Sequence, residues 1–138
     1  MAAFASRTYT APLGQRAPVV VVERDARTRA AIAAALGDFR VHEAETLSEA
    51  GAKVSELRPR AVVCSVAFDP LELFCFARWL RAMFRRSIAL VMLTPYGDAR
   101  QAIRALQLGA SACIDVPIDP ARLRMVMGKH AVAPSGAA

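Results

Sequence analysis

The sequence VVVVERD at residues 19–25 is the clearest local signal of the fold. Four β-branched residues in a row, without polar alternation, are typical of a strand buried on both faces of a parallel sheet. Asp25 can cap a helix that the sequence predicts from about Ala26 to Leu36, with Gly37 at its end. The stretch therefore predicts a strand, a charged loop and a helix in succession.

The same succession repeats along the chain. Four further strands are predicted near Arg40–Ala44 and at Ala61–Ser65, Ile88–Thr94 and Ala112–Val116. The helices that follow them are predicted to begin at Thr46 or Ser48, near Glu72, after Asp98 and at Pro120. Strands and helices that alternate through short connections predict a doubly wound parallel sheet with helices on both faces.

The carboxyl ends of the predicted strands matter most for function, because open α/β sheets place their sites there. The residues at those ends are Glu23-Arg24-Asp25, Ser65, Thr94 and Val116-Pro117. What these residues can do chemically decides which functions remain open.

The composition is that of a folded domain with excess positive charge. The chain has 138 residues, 55% of them hydrophobic and 22% charged, and a net charge of +6. This length predicts one domain, and we expect it at residues 18–130, between a disordered arm at 1–17 and a flexible tail at 131–138. The arginines are scattered along the sequence, whereas nucleic-acid binders concentrate them on one face, which argues against direct nucleic-acid binding.

Cysteine usage and hydropathy bear on where the protein works. The three cysteines form no metal-like pair and cannot all be bridged, which fits a reducing compartment. The N-terminus lacks the apolar core of a signal peptide, and charged residues break the richest apolar stretch, Ala61–Leu80. We therefore expect a cytoplasmic protein with no membrane attachment, no metal and no other cofactor.

Several stretches together resemble the receiver domain (CheY-like) of bacterial two-component response regulators. Residues 93–98 and 102–110 are similar to the family's fourth strand, its hydroxyl residue and its fourth helix. Residues 115–118 (DVPI) stand where the family has a lysine followed by proline and an apolar residue, and residues 74–81 (FCFARWLR) resemble a common third helix. The resemblance runs from Val19 to about Lys129 and implies the strand order 2-1-3-4-5.

The resemblance also implies a phosphoryl pocket, and most of its positions carry unexpected residues. In the family, an aspartate at the third strand's end takes a phosphoryl group from phosphohistidine. Two acidic residues hold Mg²⁺, and a lysine pairs with the phosphoryl group. The corresponding residues here are Ser65 for the aspartate, Glu23 and Arg24 for the acidic pair, Val116 for the lysine, Cys113 for an aromatic switch residue and Thr94 for the hydroxyl residue.

These departures predict a degenerate receiver that works without phosphorylation and is not an enzyme. A carboxylate is a competent nucleophile, whereas the Ser65 hydroxyl needs an adjacent base, and neither histidine of the sequence is placed to act as one. Arg24 repels a divalent cation and is expected in or beside the pocket, paired with Glu23 or Asp69. Each position alone is compatible with an ordinary structural role, so the prediction depends on their combination.

Two predicted helices carry side chains for a contact surface. The apolar face of the last helix consists of Leu123, Val126, Met127 and His130. Met125 lies off this face, and together with Arg122 and Lys129 it forms what we call the contact face. In the third helix, Trp79 falls partly outside the core pattern and is either a partner anchor or a core residue.

Two functions remain open from the sequence. The first is a protein-interaction module that binds a kinase, a regulator or a second copy of itself, with a homodimer expected. The second is a receiver-like domain that binds a small molecule in its altered pocket. In either case the chain could be the sensory N-terminal part of a DNA-binding response regulator.

Overall fold

The computed structural model describes residues 16–131, and all ten predicted elements are present in it. The predicted arm and tail lie outside the described residues, except at their inner ends. The strands are β1 (Pro18–Val22), β2 (Arg40–Ala44), β3 (Ala61–Ser65), β4 (Ala89–Pro95) and β5 (Ala112–Val116). The helices are α1 (Ala26–Ala35), α2 (Leu47–Leu57), α3 (Pro70–Phe84), α4 (Ala99–Gln107) and α5 (Pro120–His130).

The strands form one parallel sheet in the order β2-β1-β3-β4-β5, which confirms the predicted doubly wound fold. Alternate side chains enter two core layers, because successive residues of a strand point to opposite faces. Val19 and Val21 pack with residues of α1 and α5, whereas Val20 and Val22 pack with residues of α2, α3 and α4. Within residues 16–131, no helix has the length and apolar character needed to cross a membrane.

Side chains in the loops fix where the helices begin. Five residues each accept a hydrogen bond from a backbone N–H of the first helical turn: Asp25, Thr46, Asp69, Asp98 and Asp119. The third helix begins at Pro70 instead of near Glu72, because the Asp69 carboxylate accepts from two N–H groups and proline suits the first helical position. The loops after the strands are therefore short and held at their helical ends.

The last helix departs from the prediction at one position. Leu123, Val126 and Met127 are buried as predicted, but His130 is exposed and Ala131 enters the core instead. His130 is the final residue of α5, and the buried face continues from Met127 to Ala131, four residues later, instead of to His130. Met125 is exposed, as its place off that face predicts.

Trp79 packs in an aromatic cluster on α3. Its ring centroid lies 5.9 Å from that of Phe76 and 5.6 Å from that of Phe84, which it meets edge to face. The indole is half-buried against the core layer that contains α3. Of the two roles open for Trp79, the core residue is therefore the one that the fold supports.

Candidate functional site: the pocket at the strand ends

The carboxyl ends of β1, β3 and β5 meet in one cavity, because the parallel register brings them to the same edge of the sheet. This cavity, the strand-end pocket, has a volume of about 410 Å³ and is lined by residues that include Glu23, Thr28, Ser65, Ala67, Leu93 and Val116. Thr94 follows Leu93 directly in β4. The structure thus brings together the predicted positions Glu23, Ser65 and Val116, with Thr94 adjacent to them.

Glu23 is the acidic residue of the strand-end pocket, and it is held firmly. Its side chain is largely buried, and Oε2 accepts a hydrogen bond from the backbone N–H of Asp25 at 2.9 Å. Its backbone carbonyl accepts from Arg29 Nη1 at 2.7 Å, while Arg29 Nε pairs with Glu43 at 2.9 Å. The carboxylate is therefore fixed at the cavity wall without an ion pair of its own in the described chain.

Arg24 lies beside the pocket and is turned toward the loop between β3 and α3. Its Nη2 donates a hydrogen bond to the carbonyl oxygen of Ala67 at 2.9 Å, and its guanidinium lies 5.0 Å from the ring centroid of Phe68. The location matches the expectation, but the predicted pairing with Glu23 or Asp69 is wrong. The guanidinium instead binds the Ala67 carbonyl and packs on the Phe68 ring, both of which belong to the loop between β3 and α3.

Ser65 is buried and uses its hydroxyl for structure. Its Oγ accepts a hydrogen bond from the backbone N–H of Ala67 at 3.0 Å, which closes the turn after β3. His42 lies in β2 and His130 at the end of α5, and neither lines the pocket. Neither histidine is therefore placed to take the proton of the Ser65 hydroxyl. Burial also raises the pKa of the adjacent Cys64 thiol, which keeps that group protonated.

The remaining pocket positions are uncharged. Val116 lines the cavity, and its side chain has no group that can donate or accept a hydrogen bond. Thr94 Oγ1 is buried and has no hydrogen-bond partner. Cys113 in β5 is half-buried, its Sγ lies 3.7 Å from the carbonyl oxygen of Ala102, and desolvation raises the pKa of its thiol. No group here carries the positive charge that a phosphoryl oxygen requires.

The residues of the pocket do not fit Mg²⁺. A divalent cation of this kind prefers several oxygen ligands, among them carboxylates. Glu23 is the single carboxylate that lines the cavity, and residues 16–131 contain no group of three His, Cys, Asp or Glu that could hold a metal. The guanidinium of Arg24 also occupies the Ala67 carbonyl next to the cavity.

Comparison with known proteins agrees with the fold. The family model of the response regulator receiver domain matches residues 19–127. The chain belongs to this family. Receiver domains act in signal transduction and interact with proteins such as kinases and regulators. None of the curated proteins compared with this receiver domain matches it.

Solved receiver structures share the fold at low sequence identity. A putative response regulator from Chloroflexus aurantiacus has a TM-score of 0.77 and 20% identity, over 86% of this chain and 100% of that chain. The chemotaxis response regulator CheY4 of Vibrio cholerae has a TM-score of 0.73 and 21% identity, over 83% and 98%. NtrX from Brucella abortus, solved in complex with ATP, has a TM-score of 0.73 and 22% identity, over 84% of this chain and 26% of NtrX. This receiver domain therefore spans about a quarter of NtrX.

Two side chains near the strand-end pocket were not predicted from the sequence to have a role there. Arg29 joins the Glu23 carbonyl to Glu43 of β2, and Phe68 stacks on Arg24. Both contacts join residues that are far apart in sequence and depend on the β1–β2 and β1–β3 pairings. The sequence shows that charged and aromatic residues follow the strands, but it does not predict which residues they contact.

The contact face is solvent-exposed in the receiver domain. Met125 is 57% exposed, and Arg122 and Lys129 lie on the same side of α5 at helical spacing. The other flank of α5 lines a cleft with residues of α1, so the contact face points away from α1. The helix α4 adds two further exposed apolar residues, Ile103 and Leu106, which the sequence analysis did not single out.

Proposed function

We propose that this receiver domain is a phosphorylation-independent protein-interaction module of bacterial signal transduction, located in the cytoplasm and without enzymatic activity. The observation that carries the proposal is the arrangement around Ala67. Its N–H is bonded to the Ser65 hydroxyl at the acceptor position, and its carbonyl is bonded to the Arg24 guanidinium at a metal-ligand position. Ser65 and Arg24 thus make structural hydrogen bonds at two positions that the family uses for phosphotransfer.

A receiver of this kind must present its binding surface without a phosphoryl signal. It can do so if the surface is already in its binding-competent state, or if another ligand shifts it there. The exposed apolar side chains of α4 and α5, with charged residues beside them, fit such a surface. We infer that this side of the domain, centred on Met125, forms a homodimer or binds a kinase or regulator, and that the domain does not contact nucleic acid itself.

Light scattering over a range of protein concentrations tests this proposal. We expect a dimer that is unchanged by acetyl phosphate and Mg²⁺, and a folded monomer for Met125→Glu. The matched control is Met83→Glu on α3, because Met83 is similarly exposed at 63% but lies on another helix. A strict monomer at every concentration would refute the homodimer, and association that requires acetyl phosphate would refute phosphorylation independence.

The second candidate, a small-molecule function, is favoured by one specific observation. The strand-end pocket retains a largely buried carboxylate without an ion pair in residues 16–131, that of Glu23, beside the hydroxyl of Ser65. We infer that a ligand with complementary groups can occupy it. If the native protein continues beyond this domain, as NtrX does, the ligand or the partner would control an output domain that binds DNA.

A further inference from the structure

The carboxylate of Glu23 has a charge that no basic side chain of the described chain neutralises by an ion pair. Two arginines that are close to Glu23 in sequence, Arg24 and Arg29, have other partners. Arg24 donates to the Ala67 carbonyl and faces Phe68, and Arg29 pairs with Glu43. Glu23 is only 9% exposed, so its charge is partly shielded from water and attracts a cation more strongly than a surface carboxylate does.

One hydroxyl group adds a hydrogen-bond acceptor in the same cavity as this charge. Ser65 lines the pocket, its Oγ accepts one N–H, from Ala67, and a hydroxyl oxygen has two lone pairs. Thr94 does not contribute, because its neighbours Leu93 and Pro95 line the pocket and successive residues of a strand point to opposite faces. Ser65 Oγ can therefore accept a second hydrogen bond from a ligand that donates to it.

Most of the remaining pocket wall is apolar, the exception being Thr28, whose hydroxyl donates to the Asp25 carboxylate. Val66, Leu93, Pro95, Val116 and Pro117 surround a cavity of about 410 Å³. Such a wall packs against methylene groups, as apolar surfaces do with the stems of lysine side chains. It offers nothing to the water molecules that a hydrated metal ion would retain.

We propose that the strand-end pocket binds a primary alkylammonium group. The ammonium lies on the Glu23 carboxylate and donates to the Ser65 hydroxyl, and the alkyl chain packs along Val116. An ammonium has three N–H donors and no acceptor, which complements two carboxylate oxygens and one hydroxyl oxygen. An anion would be repelled by the Glu23 carboxylate. Mg²⁺ prefers several oxygen ligands, and this cavity has a single carboxylate. The proposal goes beyond the interaction role, and it does not depend on dimer formation.

Titration with butylammonium chloride, followed by backbone amide shifts in NMR spectra, tests the proposal on the whole chain. We expect saturable shifts around the pocket with a Kd on the order of a few millimolar, because so small a ligand gains little free energy. Butanol and acetate should give no saturable shift there. In Glu23→Gln the Kd should rise roughly tenfold or more, since a charge-assisted hydrogen bond is lost. Glu56→Gln, an exposed carboxylate on α2, is the matched control and should leave it unchanged.

A second variant supplies the ammonium from the chain itself. Val116→Lys should fold, as judged by circular dichroism, and lose butylammonium binding because its own side chain occupies the pocket. In the Val116→Lys background, Glu23→Gln should lower the melting temperature by more than the same substitution does in the wild-type protein, because it removes the partner of the new ammonium. Equal responses to butanol and butylammonium, no saturation, or an unchanged Kd in Glu23→Gln would each overturn the proposal.

The same titration identifies the source of the ammonium. Nα-acetyl-lysine amide carries the same four-carbon amine on a peptide backbone. If it binds as well as butylammonium, the pocket accepts a lysine of a protein partner. If only butylammonium binds, the ligand is a free alkylamine, and the proposal holds in that form.

Discussion

Removing the side chain of Arg24 should destabilise the domain although the residue is exposed. Arg24→Ala deletes a hydrogen bond from a charged donor to the Ala67 carbonyl, 2.9 Å long, and a guanidinium–ring contact of 5.0 Å with Phe68. A hydrogen bond that involves a charged group contributes about 1.5–3 kcal/mol, and an exposed cation–π contact about 0.5–1 kcal/mol. Because water can solvate both partners here, we expect a loss of about 1–2 kcal/mol.

Urea unfolding monitored by circular dichroism measures this loss. In a domain of this size, each kcal/mol corresponds to a decrease in melting temperature of about 4 °C. Arg27→Ala is the matched control, because the side chain of Arg27 is also exposed near the start of α1 but forms no hydrogen bond or ion pair with any of residues 16–131. Equal stabilities of Arg24→Ala and Arg27→Ala would refute the reasoning, since they would mean that Arg24 is not fastened to the β3–α3 loop.

Three further predictions follow from the pocket, a helix cap and the core. A ligand that binds the folded state must stabilise it, and we expect no Mg²⁺ binding, so millimolar Mg²⁺ should not raise the melting temperature of the wild type. An increase in melting temperature that disappears in Glu23→Gln would reveal a working metal site. Hydrogen bonds from the Thr28 hydroxyl and amide lower the pKa of Asp25 below its ordinary value in the folded state. The stability that this carboxylate contributes is therefore present above the ordinary aspartate pKa and is lost as the pH falls through the folded pKa, so Asp25→Asn should flatten the dependence of stability on pH in that acidic range. Leu80→Ala, at a fully buried site, should cost about 2–5 kcal/mol in urea unfolding, whereas Met83→Ala on the exposed side of the same helix should change stability by less than about 0.5 kcal/mol.

The sequence predicted the elements of the fold because its local signals agree with one another. The continuous apolar runs of β1 and β3 match strands buried on both faces, and aspartates stand where helices begin. The errors lie at helix ends. Pro70 and Asp69 start α3 earlier than the apolar period suggests, and α5 ends so that His130 is exposed. Termini depend on individual backbone hydrogen bonds, which hydrophobic periodicity does not describe.

The site was predictable as a set of positions but not as a set of contacts. The strand ends determine that Glu23, Ser65 and Val116 share a cavity, since parallel strands end at the same edge. The partner of Arg24 was not predictable, because the carboxylates of Glu23 and Asp69 were the obvious candidates. The guanidinium reaches the Ala67 carbonyl, 43 residues away, and that choice depends on the path of the loop between β3 and α3.

The most direct test of phosphorylation independence is intact-mass measurement after incubation with acetyl phosphate and Mg²⁺. We predict no phosphate-sized mass increase for the wild type. A variant that combines Arg24→Asp, Ser65→Asp and Val116→Lys restores the residues that the family uses, and we expect it to acquire a phosphoryl group in the same experiment. A quantitative mass increase in the wild type that disappears in Ser65→Ala would contradict the account.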